Sequence, residues 1–169
     1  MQVNVLPEYD QSDNPTGCCP RFKPDGWDQQ EIHLKDKLFL RAKTKSALHV
    51  PINMGAVFSE AQTAIEKADA KGEEGFLVLS RDLSPWKAEH LFAVSKDVPD
   101  HEMVQLTGDF VTKVFEGPFK DAKSWYDEML AAAKAKGAEA EEVYFFYTTC
   151  PKCAKTYGEN YVVGFAKLA

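Results

Sequence analysis

No stretch of this chain approaches the ~20 consecutive apolar residues needed to cross a bilayer. Its first segment, Met1 to Asp13, carries Glu8, Asp10 and Asp13 where a secretory signal would have a basic start and an apolar run. A cytoplasmic protein is expected, with no membrane partner. Surplus positive charge is lacking as well. The formal net charge is -6, and Lys and Arg are interspersed with acids, as in Lys35-Asp36-Lys37 and Lys120-Asp121. Such a surface repels a phosphate backbone, so no nucleic-acid partner is expected. Missing too are a Gly-x-Ser-x-Gly elbow and a His-Glu-x-x-His helix, which removes the support for a serine hydrolase or a zincin. Cysteine is scarce, at four residues. In a reducing compartment these are thiols, metal ligands or redox groups before they are structural disulfides.

What is present suits one globular domain. The 169 residues are 44% hydrophobic and 12% aromatic, enough for a single substantial core. Pro7, Pro15, Gly17, Pro20, Pro24 and Gly26 break up the first 26 residues, which predicts an extended arm. Cys18, Cys19, Phe22 and Trp27 make it too apolar to wave free, so an arm over residues 1–37 is expected to lie on a body over 38–169. From Leu38 an apolar run gives way to alternation through Ala42, Thr44 and Ser46, a half-buried strand that Pro51 should end. Val57, Phe58, Ala61, Ala64, Ile65 and Ala68 then mark one helix face, with Gly72 as the stop. Strands at 76–79 and 91–94 follow, joined by a turn at Ser84-Pro85-Trp86.

The pattern recurs. A strand over 104–115 leads through Gly117-Pro118 to a helix whose Ala122, Trp125, Tyr126, Met129, Leu130 and Ala133 share a face. Gly137 stops that helix, and strands at 143–147 and 161–165 complete the series. The offsets from Gly72 to Gly137 and from Glu89 to Glu159 are nearly equal. A duplicated α+β chain is expected, with repeats at 38–99 and 100–169. Each reads strand, helix, strand, strand, in an antiparallel sheet with two helices packed on one face and a small-molecule pocket between the repeats.

Gly108-Asp109-Phe110, then Val114-Phe115-Glu116-Gly117-Pro118-Phe119, Trp125-Tyr126 and Tyr147-Thr148-Thr149-Cys150-Pro151 resemble the GyrI-like family over residues 104–168. The resemblance implies duplicated SHS2-type β-α-β-β repeats and an aromatic-walled groove for small, often planar and cationic compounds. Some members of that family are hydrolases of reactive toxic compounds. The arm-bearing, cysteine-rich form looks like a bacterial and archaeal subgroup labelled hydrolase. Where the family carries an acid two positions before the Tyr, this chain has Phe145; Glu142 substitutes only if the strand shifts by three residues, which turns its side chain to the other face, and Glu116, Glu89 and Glu159 are the remaining acidic candidates.

A groove needs aromatic walls and a few convergent polar groups. Trp86, Glu89, Phe115, Trp125, Tyr126 and Tyr161 are the ligand-binding candidates, with Trp125 and Tyr126 also at core spacing. Hydrolysis of an electrophile needs a base for water and an acid for the leaving group, and Glu116 and Tyr147 are the catalytic candidates. His49 and His90 read as structural before catalytic. Cys150-Pro-Lys-Cys153 follows a strand as in a glutaredoxin, but only residues 154–169 come after it, where that fold has most of its domain. Cys18 and Cys19 would complete a four-thiolate zinc set, although adjacent side chains diverge in an extended segment. Zinc, free or redox-active thiols and a disulfide all remain open. The leading reading is a small-molecule-binding protein of GyrI-like type, with hydrolysis of a reactive or toxic compound left open as its activity. A non-enzymatic binder or inhibitory protein comes second, and a cysteine-based zinc or redox protein third.

Overall fold

The structure is a computed structural model that describes residues 2–73 and 77–169. It is an α+β chain whose named strand pairs are antiparallel. The chain divides into two compact units, Lys35–Thr107 and a second made of Met1–Leu34 with Gly108–Ala169.

In the unit Lys35–Thr107, strand β1 (Glu31–Ala47) arrives from the other unit and turns back into the short β2 (Val50–Pro51). Leu48 and His49, at φ 48° and 69°, make the two-residue left-handed turn that matches strand twist. Pro51 thus pairs with Ser46 instead of closing the strand, and β1 begins seven residues before Leu38, within the stretch expected as arm. Helix α1 (Met54–Lys67) ends on Ala68, with Asp69 at φ 52° making the reversal assigned to Gly72. Strands β3 (Val78–Ser84) and β4 (Lys87–Ala93) follow, and Phe76 lies outside the described residues. β4 pairs with both β1 and β3. Period-two alternation sends Leu40, Val78 and Phe92 to the α1 side, where Ala61 and Ile65 complete the core. Phe39, Leu79 and Leu91 point the other way and are also buried.

The second unit has the corresponding order. Strand β5 (Glu102–Glu116) leads through a 3₁₀ turn at Phe119–Asp121 into α2 (Ala122–Ala135) and then β6 (Ala140–Tyr147). A third helix, α3 (Pro151–Tyr157), precedes β7 (Tyr161–Leu168). β7 pairs with both β5 and β6. One sheet face carries Val111, Phe115, Val143, Phe145, Val162 and Ala166 against Trp125, Met129 and Ala133 of α2. Tyr126 and Leu130, expected on that buried face, are exposed at its margin. Gly164 lets the helix close on the sheet, since a Cβ there would sit 2.5 Å from Met129 Sδ.

The opposite face of this sheet holds the arm. Phe22 and Trp27, 4% and 1% exposed, pack on Phe146 at 6.0 and 5.7 Å between ring centroids. Tyr9, Tyr161 and Phe165 extend the cluster. The arm then runs along β5, where Gln29 N–H donates to Thr112 O and Thr112 N–H to Gln30 O, both at 3.0 Å. Trp27 also donates from Nε1 to Glu8 O, which folds the arm onto itself. The arm is therefore one layer of this unit's core.

Candidate functional site

Four thiols meet where the arm reaches α3. The Sγ atoms of Cys18, Cys19, Cys150 and Cys153 all lie within 4.8 Å of one another. Cys150 caps α3, its Sγ accepting from Cys153 N–H at 3.4 Å, with Pro151 in the first turn and Gly158 in the left-handed closing position. Across the cluster Cys150 N–H donates to Cys19 Sγ at 3.4 Å. The adjacent pair converges because its segment is a turn. Gly17 N–H donates to Asn14 O, and the N–H groups of Cys18 and Cys19 both fold toward Thr16 Oγ1. Cys18 and Cys19 Sγ are 3.6 Å apart, in contact but not bonded. Thr16 Oγ1 also lies 3.3 Å from Cys153 Sγ and 3.1 Å from Tyr157 Oη, which in turn donates to Cys19 O at 2.6 Å.

The electrostatics of the cluster are uneven. The Thr16 hydroxyl, with help from the other thiols against burial, holds Cys153 down to about 7. Burial pushes Cys19 far above the ordinary thiol range. At Cys18 the bond with Cys19 is the largest influence and acts downward, but burial and the neighbouring Cys150 and Cys153 outweigh it, so the thiol ends raised. Among Cys18, Cys19 and Cys153 the most acidic thiol is thus the buried Cys153, while the exposed Cys18 is harder to ionise. Among the candidate residues, these four are the set that could hold a metal.

In the unit Lys35–Thr107, Glu89 is 3% exposed on the β4 face opposite α1. Arg41 Nε and Arg81 Nε each donate to one of its oxygens at 2.5 Å, and Arg41 also reaches Glu102 at 3.1 Å. Both carboxylate oxygens of this ligand-binding candidate are occupied by guanidinium groups. Next to it His90 is buried on the α1 face, bonded to Thr44 Oγ1 at 2.8 Å and Ser80 Oγ at 2.7 Å, with Phe58 edge-on. Burial lowers its pKa to about 4, so at neutral pH it is an uncharged core histidine. Trp86 sits 58% exposed at the β3–β4 turn. The arginine pair around Glu89 needs cross-strand register to be seen, and no spacing in the sequence signals it.

The remaining candidates divide between the two faces of the other unit's sheet. Phe115 and Trp125 stack at 5.6 Å in the core under α2, and Tyr126 is exposed. Tyr147 belongs to that side, between Phe119 at 5.8 Å and Phe145 at 6.1 Å. Glu116 pairs with Tyr161 across β5 and β7, one row away from Phe115 and Val162, and so points to the arm side. Burial raises the pKa of Tyr161, with Glu159 and Glu116 contributing. The structure therefore brings Glu116 to Tyr161 and does not bring it to Tyr147. Glu142 accepts a hydrogen bond from Tyr144.

The family model described as Bacterial hydrolase matches residues 9–168. The chain belongs to this Bacterial hydrolase family. No curated protein matches its sequence. Among solved structures it is similar to an uncharacterized conserved protein from Listeria innocua, at 12% identity and a TM-score of 0.57, covering 85% of this chain and 93% of that one. A second, SAV2435 bound to tetraphenylphosphonium, has 10% identity and a TM-score of 0.49, covering 84% of this chain and 94% of that one. The first is a likeness of fold alone, and the second supports no comparison. The Bacterial hydrolase match opens at Tyr9 and so takes in the arm and all four cysteines. No helix of the described residues is long and apolar enough to cross a membrane.

Proposed function

We propose that this member of the Bacterial hydrolase family is a cytoplasmic small-molecule-binding protein of GyrI-like type that hydrolyses a reactive compound. Family membership supports the reaction class. The shared strand, helix, strand, strand order of the two units supports the GyrI-like, duplicated reading. The observation that carries the site is the aromatic corner at the end of β6. Half-buried Tyr147 lies between Phe145 and the exposed Phe119, just after the Gly117-Pro118 turn. Aromatic faces of this kind hold planar or cationic compounds, and the net charge of -6 favours a cation.

In the hydrolytic step, water forms a bond to the electrophilic carbon as the carbon–leaving-group bond breaks. The Tyr147 hydroxyl gives its proton to the leaving group, and the proton released by water restores it. Glu116, paired with Tyr161 on the other face, takes no part in this proton path. The test is a thermal-shift screen of planar cationic and electrophilic compounds, with turnover of any hit followed in wild type, Tyr147→Phe and Glu116→Gln. Tyr147→Phe should lose about 10²-fold in turnover while still binding. Unchanged turnover in Tyr147→Phe would defeat the acid role, and binding without turnover in wild type would leave a non-enzymatic binder.

A further inference from the structure

We propose that Cys18, Cys19, Cys150 and Cys153 bind one zinc(II) ion in a closed four-thiolate site that clasps the arm to the start of α3. A tetrahedral zinc with Zn–S bonds of about 2.3 Å has sulfur–sulfur edges of about 3.8 Å. Cys18 and Cys19 are already at 3.6 Å, and no pair in the cluster exceeds 4.8 Å. Ligation needs sulfur movements of an ångström or less. The two N–H···S bonds, from Cys150 to Cys19 and from Cys153 to Cys150, are made to sulfurs that would carry negative charge when bound.

Four thiolates around one zinc leave a net charge of −2. Lys152 and Lys155 of α3 and Arg21, stacked over the Tyr157 ring at 4.9 Å, lie in the segments that would offset it. The nearby acids Asp13 and Asp10 are paired with Arg21 and Lys23. The N–H groups of Cys150 and Cys153, already directed at sulfur, are outer-shell donors of the kind that orient ligands and tune the metal.

The other states of the thiols fit less well. A redox pair needs an exposed, easily ionised attacking thiol, whereas Cys153 is 2% exposed. No pair is at the ~2.05 Å of a disulfide. A four-sulfur shell leaves no open position for water or substrate, so the ion is structural and outside the hydrolytic chemistry. Its effect is on the arm. It ties residues 18 and 19 to 150 and 153, and so holds Phe22 and Trp27 on the sheet.

The test uses the full chain, expressed without added metal. Metal analysis should give close to one zinc per chain, and the cobalt(II) form should show the strong visible bands and sulfur-to-cobalt charge transfer of a tetrahedral thiolate site. Chelation of the wild-type protein should increase hydrogen exchange over residues 9–27 about tenfold or more, and zinc should reverse it. Cys18→Ser, altering the exposed ligand, should weaken zinc retention without unfolding the sheet. Less than about half an equivalent of metal, iron in place of zinc, fewer than four sulfurs by X-ray absorption, or unchanged arm exchange after complete metal removal would each overturn the proposal.

Discussion

Acidification should reveal His90. Its imidazole is 1% exposed between Thr44 and Ser80, whose hydroxyls can donate to or accept from either ring nitrogen, so the bonds do not choose its charge state. Burial does, lowering the pKa from 6.5 to about 4. The unfolded imidazole takes a proton below its ordinary pKa, while the folded one refuses it until about pH 4. Stability from this residue is therefore complete above pH 6.5, falls as pH drops from there, and levels off below pH 4. The gap corresponds to about 3 kcal/mol, of which about 2.5 kcal/mol is gone by about pH 4.5. Urea unfolding of wild type and His90→Gln across this range isolates the effect, because contributions from other groups cancel in the difference. Among these, His101, whose pKa is raised by the Pro99 carbonyl and by Glu60, acts in the opposite sense. The two stabilities should converge by more than about 1.5 kcal/mol between pH 7 and pH 4.5. Parallel curves, within about 0.5 kcal/mol, would mean that His90 is not held neutral by burial.

Glu89→Gln should destabilise the fold by about 2–4 kcal/mol, somewhat below the usual cost of severing a buried pair. Arg41 keeps Glu102, and both guanidinium groups are about a quarter exposed. Chemical denaturation measures it, and a loss confined to ligand affinity would instead make Glu89 a binding residue. Trp27→Ala should cost about 3–5 kcal/mol by opening the aromatic layer between the arm and Phe146 and Phe165. A change under about 1 kcal/mol in the same assay would show that the arm is not core.

Most of the strands were legible because one residue in two must be apolar to bury a sheet face. Val111 and Phe115 of β5 fall in this pattern, whereas the continuous apolar run 143–146 of β6 marks a strand buried on both faces, whose facing needs the register. Helix α2 was legible from Trp125, Met129 and Ala133, with Gly137 as its stop. Helix α3 was not, because seven residues reading Pro-Lys-Cys-Ala-Lys-Thr-Tyr show no apolar period. Its readable signals were Pro151 at the start and Gly158 at the end. The reversal after α1 falls on Asp69, a residue that tolerates left-handed backbone, three residues before the glycine that composition favours for it. Convergence of Cys18 and Cys19 has no sequence signal, because a Pro- and Gly-rich segment can be extended as readily as turned. Thr16 folds their amides inward instead.

The arm changes where a ligand can be sought. An antiparallel sheet with helices on one face would leave its other face for binding, and the aromatic content of that face, Phe146, Tyr161 and Phe165, would read as a groove wall. Phe22 and Trp27 already occupy it with full burial. Removing them to admit a compound would cost several kcal/mol of packing, and at about 1.4 kcal/mol per tenfold this would weaken the apparent affinity by about a thousandfold. In this unit a binding surface is thus expected at the margin of the α2 face, where Tyr147 and Phe119 are only partly covered. A zinc ion at the cysteine cluster, just past Tyr147, would hold the arm on the opposite face and leave this margin as the accessible aromatic surface.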